Sequence, residues 1–362
     1  MRKLATIRTI SNIDPIEGRD QIGLATIDGW KVIVRFEDFN VGDKCVYCEI
    51  DSVLPDKPEF EHLRSKNFRI KTMKMAGVLS QGIAFSLRIL PEGEYNVGDD
   101  VTDIIGVKQY VADMDAFPER KVRKLTLWQK FLNMLGVRKY QNNMMPFPSF
   151  IKKTDQERVQ NIPWMVDKIK SMSPETVYIS EKLDGSSATY LLEKKLFGYK
   201  FTVCSRNYAL KDSPNDRYWQ IARKYDIKNK LIDFMKQRRG SGTKLDWVCI
   251  QGEMVGPKIQ NNHYHLKDLE FYVFNLITDE GGLFPQGMNV LSLEGYGFKF
   301  VPMVDTKKFL DSVNNVEDIL KKADGKSALY SRGWREGVVI RNWSNTISFK
   351  VISNKFLLKN KL

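Results

Sequence analysis

Lys182 stands in the segment Glu181-Lys182-Leu183-Asp184-Gly185-Ser186-Ser187, directly after the strand-like run TVYIS. A lysine at the end of a strand, followed by an acidic residue and a glycine, is a candidate nucleophile. Its amine attacks only when deprotonated, and a free lysine titrates near ~10.4. A neighbouring cation lowers that value and activates the group. A second lysine could supply that cation. Carboxylates beside such a lysine could gather a divalent ion, through its waters as Mg²⁺ prefers. Left without a metal, such carboxylates push the lysine pKa upward, so metal dependence would follow from that arrangement. Taken alone, Lys-x-Asp-Gly is a short pattern that an ordinary turn also satisfies.

The elements that must position these residues are legible in outline. Residues 1–110 read as short strands with turn signals: LATIRTI, IGLATID and WKVIVRF are β-rich, and Asp28-Gly29 lies between the last two as a hairpin turn. NVGDKCVYCEI and NVGDDVTDIIG form a weak repeat, each pairing an Asn-x-Gly-Asp turn with a β-branched run. Strands at this spacing predict a small, OB-like β-barrel. Residues 111–150 read as a linker, with a basic amphipathic helix over KVRKLTLWQKFLNMLG followed by an extended stretch around Pro146 and Pro148. From 151 to 362 strands and helices mix. TVYISEKL, KFTVCSR, DWVCIQGEM, LEFYVFNLI, EGVVIR and TISFKVI are strand-like, and NDRYWQIARKYDIKNKLIDFMKQ is helical. The whole predicts an α+β chain whose second part has antiparallel sheets with flanking helices.

Those strands carry the chemical residues in a fixed order. After the Lys182 segment come Ser205-Arg206-Asn207, Gly252-Glu253-Met254-Val255-Gly256, Tyr272-Val273-Phe274-Asn275, Glu336-Gly337-Val338-Val339-Ile340-Arg341 and Phe349-Lys350-Val351-Ile352. The series resembles the collinear motifs of the covalent nucleotidyltransferase superfamily, which contains DNA ligases, RNA ligases and mRNA capping enzymes. The resemblance spans about residues 154–352, and within it the chain is similar to RNA ligases of the Deinococcus type, which carry an OB module before the nucleotidyltransferase domain. TDQERVQNIP, from Thr154, resembles an element RNA ligases place upstream of the nucleophile.

The resemblance implies an ATP-dependent RNA ligase in which Lys182 forms lysyl-AMP. It implies a catalytic set of Lys182, Glu253, Glu336, Lys350 and Arg158. The nucleotide would be held by Ser180, Glu181, Lys182, Gly185, Arg206, Glu253, Phe274, Glu336 and Lys350, with Phe274 stacking on the purine. Asp184, Glu253 and Glu336 would hold Mg²⁺ or Mn²⁺ through water. The implied substrate is RNA, or an RNA-containing duplex, with 3′-hydroxyl and 5′-phosphate ends, and the implied enzyme is a monomer. In DNA ligases and capping enzymes an OB domain follows the last motif, whereas here the barrel candidate precedes the motifs. Ser187 stands where DNA ligases usually carry arginine. Ile352 departs from a common Lys-x-Lys at the last motif, with Lys355 available as a substitute. A capping guanylyltransferase or DNA ligase is the enzymatic alternative, and an inactive nucleic-acid-binding protein the non-enzymatic one.

Composition agrees with a polyanionic partner. Net charge is +13, yet residues 1–110 hold 15 Lys and Arg against 17 Asp and Glu, so the excess lies beyond them. The N-terminal barrel could brace the rest or bind RNA by stacking bases on Trp30, Phe36 and Phe39. Cys45 and Cys48 alternate to opposite faces of one strand and read as buried thiols. No apolar run approaches the ~18–20 residues that span a bilayer, and MRKLATIRTISNID lacks a signal-peptide core. An intracellular, cytoplasmic protein without a membrane partner is the expectation.

Overall fold

The computed structural model describes residues 3–110, 128, 144–173, 176–280, 282–283 and 292–361. The helix predicted over KVRKLTLWQKFLNMLG lies, Trp128 apart, outside the described residues.

The N-terminal residues form OB-like sheets around one core. Ala5–Thr9 pairs with Lys44–Cys48, which pairs in turn with Ile83–Phe85; Asn12–Ile16, Arg19–Ile27 and Trp30–Arg35 form a second sheet. Asp28 and Gly29 both take left-handed φ, 47° and 81°, and Ile27 faces Trp30 across the turn. That is the two-residue turn whose twist matches the strands it joins. The repeated Asn-x-Gly-Asp segments are two copies of one turn. In each, an Asp carboxylate accepts from the Asn backbone N–H at 2.7 Å and the glycine has φ near 95°. Their sequels differ: Lys44–Cys48 is a strand, whereas Thr102–Ile105 is a helical turn closed by left-handed Gly106.

The barrel's aromatics correct one expectation. Trp30 is fully buried and Phe39 nearly so, both within the N-terminal core, and only Phe36 is exposed. Two of the three rings are thus unavailable as stacking platforms. Cys45 and Cys48 are buried in the same core, and burial pushes the Cys45 thiol up to about 12.

The second part is built on two sheets. Among the described residues, eight strands make the larger one, with Tyr199–Cys204, Ser186–Lys194, Trp247–Val255 and Glu270–Thr278 as antiparallel neighbours. Five make the smaller, in the order Glu157–Arg158, Ser348–Ile352, Gly337–Asn342, Val177–Lys182, Met303–Val304. Helices Arg217–Lys224 and Ile227–Gly240 pack on the larger sheet through Ile221, Leu231 and Phe234. The sequence reads as one helix here. The structure breaks it at Asp226, whose φ of 48° is left-handed and cannot continue an α-helix. Val316–Ala323 packs on the smaller sheet through Ile319 and Leu320.

The N-terminal sheets dock against this smaller sheet through a buried polar contact. The Arg8 guanidinium lies 3.6 Å from Glu49, donates to the Gln160 carbonyl at 3.2 Å and sits over the Tyr47 ring. Asn161 donates to Glu49 at 3.2 Å, and Arg158 lies 5.6 Å over Trp30. Removing one partner of a buried pair leaves the other charge uncompensated, at roughly 3–5 kcal/mol. Arg8→Ala is therefore expected to lower the urea midpoint by an amount equivalent to about 3 kcal/mol. Arg35→Ala, which breaks the exposed Arg35–Glu37 pair, is expected to shift it by less than about 1 kcal/mol.

Candidate active site

Strand alternation decides which side chains meet. Along Val177–Lys182, Val177, Ile179 and Glu181 are buried while Tyr178, Ser180 and Lys182 are half-buried. Side chains two apart share a face, so Ser180 and Lys182 look into the cleft and Glu181 does not. Glu181 belongs to the cleft wall, but its carboxylate accepts from Ser327 Oγ at 2.6 Å and from the Ala328 N–H at 2.8 Å. Burial raises its pKa, and those two donors work against the rise.

After Lys182 the chain leaves the smaller sheet, turns through Leu183, Asp184 and Gly185, and enters the larger one at Ser186. The cleft of about 350 Å³ lies at this crossing. Lys182 pairs with Gly337 across the smaller sheet, which sets Glu336 beside it; Ser187 pairs with Glu253 across the larger. Gly185 is required sterically. A Cβ there would strike the Met254 carbonyl oxygen and stand 2.8 Å from Glu253 Cγ.

The result is a lysine among carboxylates. Lys182 Nζ donates to Glu336 Oε2 at 2.6 Å. Burial works to lower the Lys182 pKa, but Glu336, Glu253 and Asp184 outweigh it and hold the amine above its ordinary value. Glu253 is pushed up to about 8, by burial first and by the charges of Glu336 and Asp184, with Lys182 and Arg206 opposing. Asp184 is buried; its N–H donates to Tyr264 Oη at 2.7 Å and its carboxylate lies 3.1 Å from His263 Nε2. Two strands away in the same sheet, burial and the charges of Arg158 and Lys182 hold Lys350 down at about 8.

Ten of the eleven candidate residues line the cleft: Ser180, Glu181, Lys182, Asp184, Gly185, Arg206, Glu253, Phe274, Glu336 and Lys350. Arg158 does not. It pairs with Lys350 in a parallel ladder, and its guanidinium lies against Trp30. Arg206 is ion-paired with Asp155, and Thr154 and Ser187 share a hydroxyl hydrogen bond of 2.8 Å, so the TDQERVQN segment closes one side of the cleft. Among the described residues no three acidic, His or Cys side chains stand as direct ligands of one metal.

Three contributors escaped the sequence reading. Arg341 is buried; it donates to the Phe274 carbonyl at 3.1 Å and to Asn275 Oδ1 at 2.7 Å, and its guanidinium lies 5.8 Å from the Phe274 ring. It belongs to the EGVVIR run, where alternation alone would have aimed it at the site. His263 and Tyr264 come from an irregular loop, and no periodicity points them at Asp184.

Comparison with known proteins accords with this geometry. An OB-fold domain model matches residues 4–87, and an RNA ligase model matches residues 175–359, more than half of the chain. The chain belongs to the RNA ligase family. Solved structures of a Naegleria gruberi RNA ligase are similar over its full length. The one with PPi is 30% identical, covers 100% of this chain and 99% of its own, and superposes with a TM-score of 0.72. A mutant with AMP and Mn is 30% identical over 99% of both chains, TM-score 0.73. Another with ATP and Mn is 29% identical over 100% of both, TM-score 0.72. Comparison with curated proteins gives no match. No helix among the described residues of this RNA ligase is long and apolar enough to cross a membrane.

The carboxylate crowding has a measurable consequence. Because the folded pKa of Glu253 lies above its ordinary 4.5, the folded ligase binds the extra proton, and stability falls as pH rises from about 4.5 through about 8. Glu253→Gln removes that loss. In metal-free buffer the melting temperature of the variant is expected to exceed that of the wild type by a margin that widens between about pH 5 and pH 8.

Proposed function

We propose that this RNA ligase joins a 3′-hydroxyl to a 5′-phosphate through a lysyl-AMP on Lys182 and an RNA adenylate, sealing nicks in duplex nucleic acid in the course of RNA repair. The observation that carries the reading is the seat of the Lys182 amine, 2.6 Å from Glu336 in a cleft that also holds Glu253, Lys350 and Phe274. The similar Naegleria gruberi ligase has been solved with ATP, AMP and Mn, which supports ATP as the donor and a divalent ion as cofactor.

The donors fit such an ion. Asp184, Glu253 and Glu336 offer hard oxygens, and they already surround one cation, the Lys182 ammonium. With no three side chains among the described residues set for direct ligation, they would hold Mg²⁺ or Mn²⁺ largely through water. The bound ion supplies positive charge that offsets the carboxylates, lowers the lysine pKa and neutralises phosphate oxygens.

The chain's own residues do the rest. Phe274, backed by Arg341, presents a ring for the purine. Lys350, half-buried two strands from Lys182 in the same sheet, holds the α-phosphate, while Arg206 offers a planar fork to phosphate oxygens. Arg158, the ladder partner of Lys350, adds charge behind it. The Lys182 amine displaces pyrophosphate from the α-phosphorus of ATP and loses its proton. The RNA 5′-phosphate then displaces the lysine, and the 3′-hydroxyl finally displaces AMP. Each step is an in-line phosphoryl transfer in which positioning and charge neutralisation dominate.

Sealing of end-labelled nicked duplexes tests the acceptor. A nick with ribonucleotides on the 3′-hydroxyl side is expected to be closed, and the same nick with deoxyribonucleotides there to be closed at least tenfold more slowly. Equal rates on both would assign the protein to general nick sealing, and release of a 5′-capped strand from GTP would overturn the reading.

A further inference from the structure

Three lysines gather on one indole outside the cleft lining. Lys326 Nζ lies 4.5 Å from the centre of the Trp334 ring, Lys355 Nζ 5.0 Å and Lys359 Nζ 5.2 Å. No two of these ammonium groups stand farther apart than the sum of their distances to the ring, about 10 Å, close to the Debye length at ordinary salt. All three lysines are exposed and Trp334 is half-buried.

No described carboxylate pairs with them. Among the described residues none of the three forms an ion pair; Lys326 Nζ donates only to the Arg332 carbonyl, at 3.2 Å. The nearby Asp324 Oδ1 accepts from the Ser353 hydroxyl at 2.6 Å and the Lys355 backbone N–H at 3.2 Å, not from a lysine ammonium. Cation–π attraction at an exposed site is worth about 0.5–1 kcal/mol per lysine, enough to seat each ammonium but not to cancel the others.

The fold ties this cluster to the active site. Trp334 precedes Glu336 by two residues, a reach of at most about 7 Å. Ser353 N–H donates to the Glu336 carbonyl at 2.9 Å, so the segment carrying Lys355 and Lys359 starts at the same point. The departure at the last motif acquires a reason here. Ile352 is buried with Leu79 and Leu357 in an apolar contact, and the positive charge lies beyond it, on the Trp334 ring.

We propose that Trp334, Lys326, Lys355 and Lys359 form a shelf for backbone phosphates of the RNA strand whose end enters the cleft. This inference rests on the ligase reading above. The cluster offers charge and an aromatic face but no donor array for base edges, so it recognises the backbone without regard to sequence.

Binding of a nicked RNA duplex, followed by fluorescence anisotropy without ATP over a series of salt concentrations, tests it. Lys326→Ala/Lys355→Ala/Lys359→Ala is expected to weaken binding more than tenfold at ~100 mM salt. Each phosphate contact contributes about 0.9 to the salt slope, so the slope should flatten by about two to three. The triple Lys→Arg variant should restore both. In parallel, labelling by ATP alone should fall less than threefold, which also shows that the variant folds. Unchanged RNA affinity and slope would overturn the proposal. So would lost labelling with RNA affinity retained, which would assign the cluster to the triphosphate of the nucleotide. Binding is read without ATP, so a wild-type protein that never labels would count against the proposed function and leave the shelf to its own test.

Discussion

Three carboxylates around one ammonium are the constraint on which the rest of this structure depends. Asp184, Glu253 and Glu336 would repel one another in a half-buried cleft, and the Lys182 amine, 2.6 Å from Glu336, makes their approach tolerable. The same arrangement disarms the lysine, because every neighbouring carboxylate favours its protonated form. On the proposed reading the resting site is therefore unreactive, and only added positive charge frees the amine. Lys350, held down at about 8 two strands away in the same sheet, is the protein's own share of that charge.

Bringing these groups together requires two sheets to meet along a single turn. Lys182 ends a strand of the smaller sheet and Ser186 begins a strand of the larger, so Leu183, Asp184 and Gly185 are the hinge line of the cleft. Glu336 and Lys350 arrive from one side and Glu253 and Phe274 from the other. Gly185 has no room for a Cβ because the larger sheet presses directly against the turn. The N-terminal sheets reinforce the far side through Arg8, Glu49 and Trp30, which hold the strand beside Lys350. With Trp30 buried against Arg158, these observations favour bracing over base stacking as the work of that part of the chain.

What could be read from the sequence follows from which signals are local. Strand alternation and turn chemistry are local, and they located the strands bearing Lys182, Glu253, Phe274 and Lys350, the Asp28-Gly29 hairpin and the repeated Asn-x-Gly-Asp turn. Alternation pursued one residue further would also have turned the Glu181 carboxylate away from the cleft. The break at Asp226 was not legible, because helix propensity is continuous across it and only the left-handed backbone ends the first helix. Trp30 looked like an exposed platform because composition says nothing of which face of a strand is covered. His263 and Tyr264 were invisible because they reach Asp184 from an irregular loop about eighty residues away in sequence. The Trp334 cluster draws lysines from two segments that only the tertiary fold brings together.

Peptide mass spectrometry of the protein after incubation with ATP and Mn²⁺ tests the central claim most directly. The account predicts one AMP adduct, carried on Lys182, formed with the metal and not after its removal by chelation. An adduct on another lysine, Lys350 included, or an unmodified protein that gains none under these conditions, would contradict it.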